Sequence, residues 1–149
     1  MPVITVVITD HKKSGRAACL QVLQLEKGIE VVGEARSGLE AMAVAAKLKP
    51  CILLFHMNLF KGRKINLLWA LRQKSPKTKV ILIPLRGPET QILDVLTHGV
   101  RGYIQEKDLR TFLPKAVRLV DAGEAWVPRK MVAKIIDRLA RSAAGQEGG

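Results

Sequence analysis

Five short apolar runs alternate with segments in which apolar residues recur every three or four positions, and this alternation limits the fold more than any other feature. The predicted strands are residues 3–8, 29–35, 52–56, 80–83 and 102–105. The predicted helices are residues 16–26, 39–48, 65–73, 89–97 and 109–120. Nearly continuous apolar strands are typical of a parallel sheet that is covered on both faces. Because parallel neighbours need right-handed crossover helices, the sequence predicts a doubly wound, five-stranded parallel α/β sheet.

A sixth helix is predicted after these units, which we expect to form a domain over residues 1–122. Residues 123–141 combine a linker with an amphipathic helix. One face of this helix carries Val132, Ile135, Ile136 and Leu139, and another carries Lys130, Lys134, Arg138 and Arg141. The apolar stripe suits packing on the body, a dimer seam or a domain linker. Residues 142–149 are small and polar, which predicts a flexible tail or the stub of a linker.

The charge balance favours anionic partners. The chain has 25 Lys and Arg residues against 13 Asp and Glu residues, a formal net charge of +12. Such a charge attracts polyanions such as nucleic acid, although cations spread over solvated faces explain the same balance. The two cysteines have neither metal-ligand nor redox spacing. With no basic leader and no apolar run of the ~18 residues that a membrane helix needs, we expect a cytoplasmic protein without a membrane partner.

The end of the third predicted strand bears most directly on chemistry. The run Pro50-Cys51-Ile52-Leu53-Leu54-Phe55-His56 is a buried strand that ends in a histidine. In a doubly wound sheet, ligands bind beyond the carboxyl ends of the strands. We therefore expect one pocket to be surrounded by the residues that end four of the strands, namely Asp10, His56, Pro84 and Glu106. Asp10 or Glu106 is expected to satisfy the imidazole.

These segments resemble the response regulator receiver domain over residues 3–141. Val6-Val7-Ile8-Thr9-Asp10 resembles its first strand, residues 50–56 its third strand, and residues 99–107 its fifth strand. Gly123-Glu124-Ala125-Trp126 is similar to the receiver subfamily that precedes a LuxR-type helix-turn-helix. The resemblance implies a flavodoxin/CheY-like sheet with strand order 2-1-3-4-5, five helices and the additional C-terminal helix.

The positions that serve phosphoryl transfer in the family differ in this chain. The resemblance implies an acidic pair at residues 9 and 10, a phosphoacceptor aspartate at 56, a hydroxyl at 84 and a lysine at 106. The chain has Thr9, Asp10, His56, Pro84 and Glu106 instead, and Tyr103 matches the switch aromatic. Since Mg²⁺ requires oxygen ligands, one remaining carboxylate predicts weak or absent metal binding. We therefore expect no catalytic residue, no metal and no other cofactor, and a protein that is not an enzyme.

Two functional hypotheses follow. The first is an atypical two-component receiver that acts in signal transduction or transcription regulation without aspartyl phosphorylation. It would form a homodimer or contact another signalling protein through residues 89–97, 101–105 and 109–120, and any DNA binding would come from a missing or separate output domain. Because Pro84 provides no hydroxyl, we expect Tyr103 to keep one orientation.

The second hypothesis is a basic stand-alone module that binds nucleic acid or another anion and reuses the receiver fold. Its candidate residues line the predicted pocket rim: Lys12, Lys13, Lys61, Arg63, Lys64 and Arg86. A solvated basic rim without a ligand is the competing interpretation. An active receiver that uses Asp108 is disfavoured, because this residue stands at a helix start, where capping is its ordinary role.

Overall fold

The computed structural model describes residues 2–56, 64–83 and 89–147 of the chain. The strands are β1 (Ile4–Thr9), β2 (Ile29–Ala35), β3 (Ile52–His56), β4 (Lys79–Ile83) and β5 (Gly102–Tyr103). The helices are α1 (Lys13–Leu23), α2 (Gly38–Leu48), α3 (Lys64–Lys74), α4 (Glu89–Thr97), α5 (Leu109–Asp121) and α6 (Arg129–Glu147). The predicted alternation of strands and helices is confirmed.

The strands form one parallel sheet in the order β2-β1-β3-β4-β5, as predicted. Alternate residues of the central strands face opposite sides and build two apolar cores. Val7, Leu53 and Leu82 pack under α2, α3 and α4, whereas Ile8, Leu54 and Ile81 belong to the core under α1 and α5. Helices on both faces therefore explain why the strands are almost entirely apolar.

The first helix and the fifth strand have limits that differ clearly from the predicted ones. Helix α1 begins and ends three residues earlier than predicted, because the chain turns at Gln24–Glu26 and leaves Leu25 82% exposed. Strand β5 is only two residues long, since the chain enters a short 3-10 turn at Glu106–Asp108.

The linker completes the edge of the sheet beside β5. The Tyr103 amide donates to the Trp126 carbonyl over 2.8 Å, and the Trp126 amide donates to the Arg101 carbonyl over 3.0 Å. The Trp126 ring lies 5.9 Å from the Phe112 ring, measured between centroids. Backbone pairing and ring packing thus attach the linker to the domain.

Helix α6 packs back on α4. Met131 is buried and Ile135 is partly buried against the core, while Lys134 pairs with Glu89 and Arg138 pairs with Asp94. Packing on the body is thus one role that the apolar stripe serves. The helix continues to Glu147, so the flexible tail predicted from residue 142 is corrected for residues 142–147. Ala143 and Ala144 explain this extension, because alanine is the strongest helix former.

Although α6 has 19 residues, the part of the chain that is described contains no helix both long and apolar enough to cross a membrane.

The first turn of α1 is shaped around Asp10. The buried Asp10 follows β1, and its amide donates to the Ala35 carbonyl over 3.0 Å. Gly15 lies directly against the carboxylate, so that a Cβ at this position would overlap Oδ2 and lie 2.8 Å from Cγ. Arg16 Nη1 donates to the Asp10 carbonyl over 2.8 Å, and its Nε donates to Glu34 over 3.1 Å. A glycine is therefore required in this turn for the carboxylate to keep its position.

Replacing Gly15 with alanine tests this packing. In an unconstrained helix, the change from glycine to alanine stabilises by about 1 kcal/mol. Here the overlap with Asp10 reverses the sign, and we expect a loss of about 1–3 kcal/mol, the typical cost of overpacking. The free energy of unfolding in urea measures the effect. Ser14→Ala, at the exposed neighbouring position, is the control and should change stability by less than about 0.5 kcal/mol. A stabilising Gly15→Ala would contradict the packing.

Candidate functional site

Three side chains from different elements meet at the carboxyl end of the sheet. Asp10 follows β1, His56 ends β3, and Glu106 begins the 3-10 turn after β5. His56 Nε2 lies 3.2 Å from Asp10 Oδ2 and 3.4 Å from Glu106 Oε1. His56 and Asp10 are almost fully buried, whereas the Glu106 side chain is 46% exposed. The histidine therefore contacts both of its expected acidic neighbours.

Both oxygens of the Asp10 carboxylate are engaged. The Lys12 amide donates to Oδ1 over 3.0 Å, and His56 occupies the side of Oδ2. His11 Nδ1 lies a further 3.5 Å from Oδ1. A buried carboxylate requires such partners, because an unpaired charge in the interior is costly. Asp10 is thus a satisfied structural acid within the domain.

The environment of His56 favours its neutral form. Burial lowers the pKa of His56 below its ordinary value of 6.5, and the opposing effects of Asp10 and Glu106 are smaller. Its Nδ1 is buried, and no described residue hydrogen-bonds to it. A proton on Nδ1 would be a buried donor without a partner, which costs more than an unused acceptor. The contacts therefore select the neutral tautomer with its proton on Nε2, directed at the carboxylates.

Two further side chains near the pocket carry no reactive group. The Thr9 hydroxyl is buried, and no described residue hydrogen-bonds to it. Burial, with the negative charges of Asp10 and Glu106, raises the pKa of the Cys19 thiol to about 12. Because a nucleophilic cysteine must be a thiolate, Cys19 is inert at neutral pH.

Tyr103 and Asp108 lie near the pocket without entering the triad of Asp10, His56 and Glu106. The Tyr103 ring is buried, and its hydroxyl accepts a hydrogen bond from Gln105 Nε2 over 3.3 Å. The single orientation expected for this ring stays a prediction. Asp108 stands at the N-cap of α5, but its side chain makes no capping hydrogen bond. The capping role expected for Asp108 is therefore wrong, since its backbone is already helical.

Only part of the basic rim can be placed. Lys12 and Lys13 are exposed at the start of α1. Three residues of the rim, Lys61, Arg63 and Arg86, lie outside the described residues, and the side chain of Lys64 is not described. Pro84, predicted at the end of the fourth strand, also lies outside the described residues. An anion site on this rim stays a prediction.

Sequence reasoning missed Gly15 and Arg16, which hold Asp10 by close approach and by a hydrogen bond to its carbonyl. A glycine in the first turn of a predicted helix was the available signal, because glycine is unfavourable there without a packing reason.

The site residues do not fit Mg²⁺, the ion that the resemblance implies. Mg²⁺ prefers several oxygen ligands in an octahedral arrangement. The Asp10 oxygens already contact the Lys12 amide and His56, and an imidazole is not an oxygen ligand. Among the described residues, no group of three or more His, Cys, Asp or Glu side chains is arranged to hold a metal. The triad is therefore a set of side chains that contact one another.

The burial of His56 predicts a specific pH dependence of stability. Since its pKa is lowered on folding, the unfolded chain binds the proton more tightly. The contribution of the neutral His56 to the free energy of unfolding is thus fully present above the ordinary pKa of 6.5. This contribution is lost as the pH falls from there towards the pKa of His56 in the folded protein. His56→Gln keeps an N–H near the Nε2 position but does not titrate, so its stability should fall less over this window. Urea unfolding between pH 8 and pH 5 measures both proteins, and equal pH slopes would contradict a buried neutral imidazole.

Comparison with known proteins agrees with this architecture. The family model of the response regulator receiver domain matches residues 6–117. The transcriptional regulatory protein DegU of Brevibacillus brevis is 27% identical over 138 residues, which are 93% of this chain and 58% of that protein. The oxygen regulatory protein NreC of Staphylococcus aureus is 26% identical over 133 residues, 89% of this chain and 61% of that protein. The chain thus spans less than two thirds of these relatives.

A solved structure supports the fold alone. The isolated REC domain of RcsB from Salmonella enterica serovar Typhimurium, in its apo form, superposes with a TM-score of 0.78 at 19% sequence identity. The match covers 90% of this chain and 98% of that domain. With the family model covering most of the chain, the conclusion follows that this protein belongs to the response regulator receiver domain family.

Proposed function

We propose that this receiver domain acts in two-component signalling without aspartyl phosphorylation, through contacts with other proteins. One observation carries the proposal. His56 stands at the end of β3, and its Nε2 lies within 3.4 Å of carboxylate oxygens of both Asp10 and Glu106. The position implied for the phosphoacceptor is thus occupied by a side chain that bonds internally.

The charges around His56 oppose a phosphoryl group. A transferred phosphoryl group needs cations or hydrogen-bond donors for its oxygens. Here its oxygens would face Asp10 and Glu106, and two like charges about 4 Å apart repel by about 4 kcal/mol at an effective dielectric of about 20. A neutral imidazole does not offset this repulsion.

Phosphorylation of the imidazole itself is also disfavoured. A histidine nucleophile attacks through an unprotonated ring nitrogen. We expect the proton of His56 on Nε2, which faces the carboxylates, and Nδ1 is buried. Neither nitrogen is therefore both unprotonated and accessible.

Titration with Mg²⁺ and beryllofluoride, a phosphoryl mimic, tests the proposal. We expect no shift of the backbone amides of Thr9, Asp10, His56, Glu106 and Tyr103 in the wild-type chain. The measurement is a series of two-dimensional ¹H–¹⁵N spectra. Saturable shifts at these amides that require both reagents would contradict the proposal.

The matched control restores the residues that the resemblance implies. The triple variant Thr9→Asp, His56→Asp, Glu106→Lys rebuilds an acidic cluster and a phosphate-binding lysine. It should respond to Mg²⁺ and beryllofluoride at Asp10 and at residue 56. If the variant responds and the wild type does not, residues 9, 56 and 106 explain why the wild type does not bind the phosphoryl mimic.

The contact surface that we propose for this function is the exposed face of α6. Val132, Ile136 and Leu139 are 43%, 57% and 49% exposed. Their spacing of four and three residues is that of a coiled-coil seam, which pairs favourably with a second copy of itself. Helix α4 is partly covered by α6, so it is not fully available for the contacts expected of α4, β5 and α5. A homodimer through α6 buries these exposed apolar side chains.

The double variant Ile136→Glu, Leu139→Glu tests this dimer. Both side chains face solvent, so the variant should fold but lose self-association, because two glutamates would be buried at the seam. Analytical ultracentrifugation over a concentration series measures the association. Leu25→Glu, at an 82% exposed leucine beside the groove between α1 and α5, is the matched control and should dimerise normally. A monomeric wild type, or loss of the dimer in Leu25→Glu alone, would contradict the α6 seam.

A further inference from the structure

A cavity lies at the opposite end of the sheet from His56. It has a volume of about 510 Å³ and is formed by the second half of α3, the segments that follow α3 and α4, the amino end of β4 and the residue before β5. Its polar lining is mostly basic, with Arg72, Lys77, Lys79, His98 and Arg101. The triad of Asp10, His56 and Glu106 shares none of these residues, so this cavity is a separate feature.

The positive charge of this cavity is not neutralised by acids. No Asp or Glu lines it, and in the described part of the chain no carboxylate forms a salt bridge with its cations. Two of the cations bond to backbone carbonyls instead. Lys79 Nζ donates to the Asp121 carbonyl over 3.0 Å, and Arg101 Nη1 donates to the Gly123 carbonyl over 3.4 Å.

Helix ends explain part of this charge but not all of it. Helices α3 and α4 end beside the cavity, and Lys79 and Arg101 bond to carbonyls at the end of α5. Each helix terminus contributes about half a negative charge, so the three together offset about one and a half of the four full positive charges of Arg72, Lys77, Lys79 and Arg101. A net positive charge of about two and a half thus remains for a ligand.

Gly99 shapes the wall of the cavity. Its φ of 103° is in the left-handed region, as is usual for a glycine that ends a helix. A Cβ at this position would lie 2.5 Å from Arg72 Nη2. The missing side chain therefore allows the guanidinium to lie against the end of α4, at the cavity wall.

We propose that this cavity binds a compact, multiply charged phosphate group. A concave volume of about 510 Å³ is in the usual range for small-molecule sites. Arginine forks and lysine ammonium groups are the standard donors to phosphate oxygens. The concave shape favours a small phosphorylated molecule over the backbone of a long nucleic acid. This site is independent of the proposal on phosphorylation, because its residues lie at the other end of the sheet.

Calorimetric titration of the full chain with inorganic triphosphate tests the site. The double variant Arg72→Gln, Lys77→Gln removes two exposed cations from the cavity and should weaken binding about tenfold or more, since charge-assisted contacts are lost. The control is Arg110→Gln, Lys115→Gln, which removes two exposed cations from the groove between α1 and α5. It should change affinity by less than about twofold. Unfolding curves of both variants verify that each one folds.

The location of binding is tested by amide shifts. Triphosphate should shift the amides of Thr78, Val80 and Gly99 and leave those of Asp10 and His56 unchanged. Equal loss of affinity in both double variants would show attraction to overall charge and overturn the proposal. No binding of triphosphate by the wild type would also overturn it. A parallel titration with duplex DNA distinguishes a small phosphorylated molecule from a nucleic-acid backbone as the source of the phosphate. If DNA binds more tightly than triphosphate and both double variants weaken its binding equally, the proposal of a compact ligand is contradicted.

Discussion

The buried contact between Asp10 and His56 is the interaction on which the functional end of this molecule depends. Thr9 of β1 pairs in register with Phe55 of β3. Asp10 and His56 are the next residues of the two chain segments, so they lie side by side. A carboxylate at that depth needs donors, and it receives them from the imidazole and from the Lys12 amide. Gly15 leaves the space that the arrangement requires. Both oxygens of Asp10 thus have protein neighbours, which supports our proposal that phosphorylation is not the switch of this domain.

The two ends of the sheet contrast in their electrostatics. At the carboxyl end, His56 contacts the carboxylates of Asp10 and Glu106. At the amino end, four cations and His98 surround a cavity with no acidic lining residue. The carboxylates at the first end repel an anion, whereas the cations at the other end, which have no acidic partners, gain free energy from one. Part of the overall charge of +12 is thus concentrated around the cavity at the amino end of the sheet.

The sequence predicted the architecture well because its cues were long and consistent. Apolar strands alternating with amphipathic helices define a doubly wound sheet, and the strand order followed from the family resemblance. The contacts of His56 with Asp10 and Glu106 were also predictable, since strand ends converge at one edge. The close approach of Gly15 to Asp10 was not, because it depends on packing at atomic distance. The helical extension through Ala143 and Ala144 was missed because polar, small residues read as a tail, although alanine favours a helix.

The protonation and tautomer of His56 report directly on whether its side chain is held by Asp10 and Glu106. A long-range ¹H–¹⁵N spectrum of the imidazole at neutral pH reports both nitrogens. We expect a neutral ring with its proton on Nε2, unchanged when Mg²⁺ and beryllofluoride are added. A charged ring, a proton on Nδ1, or a change of tautomer on adding these reagents would contradict it.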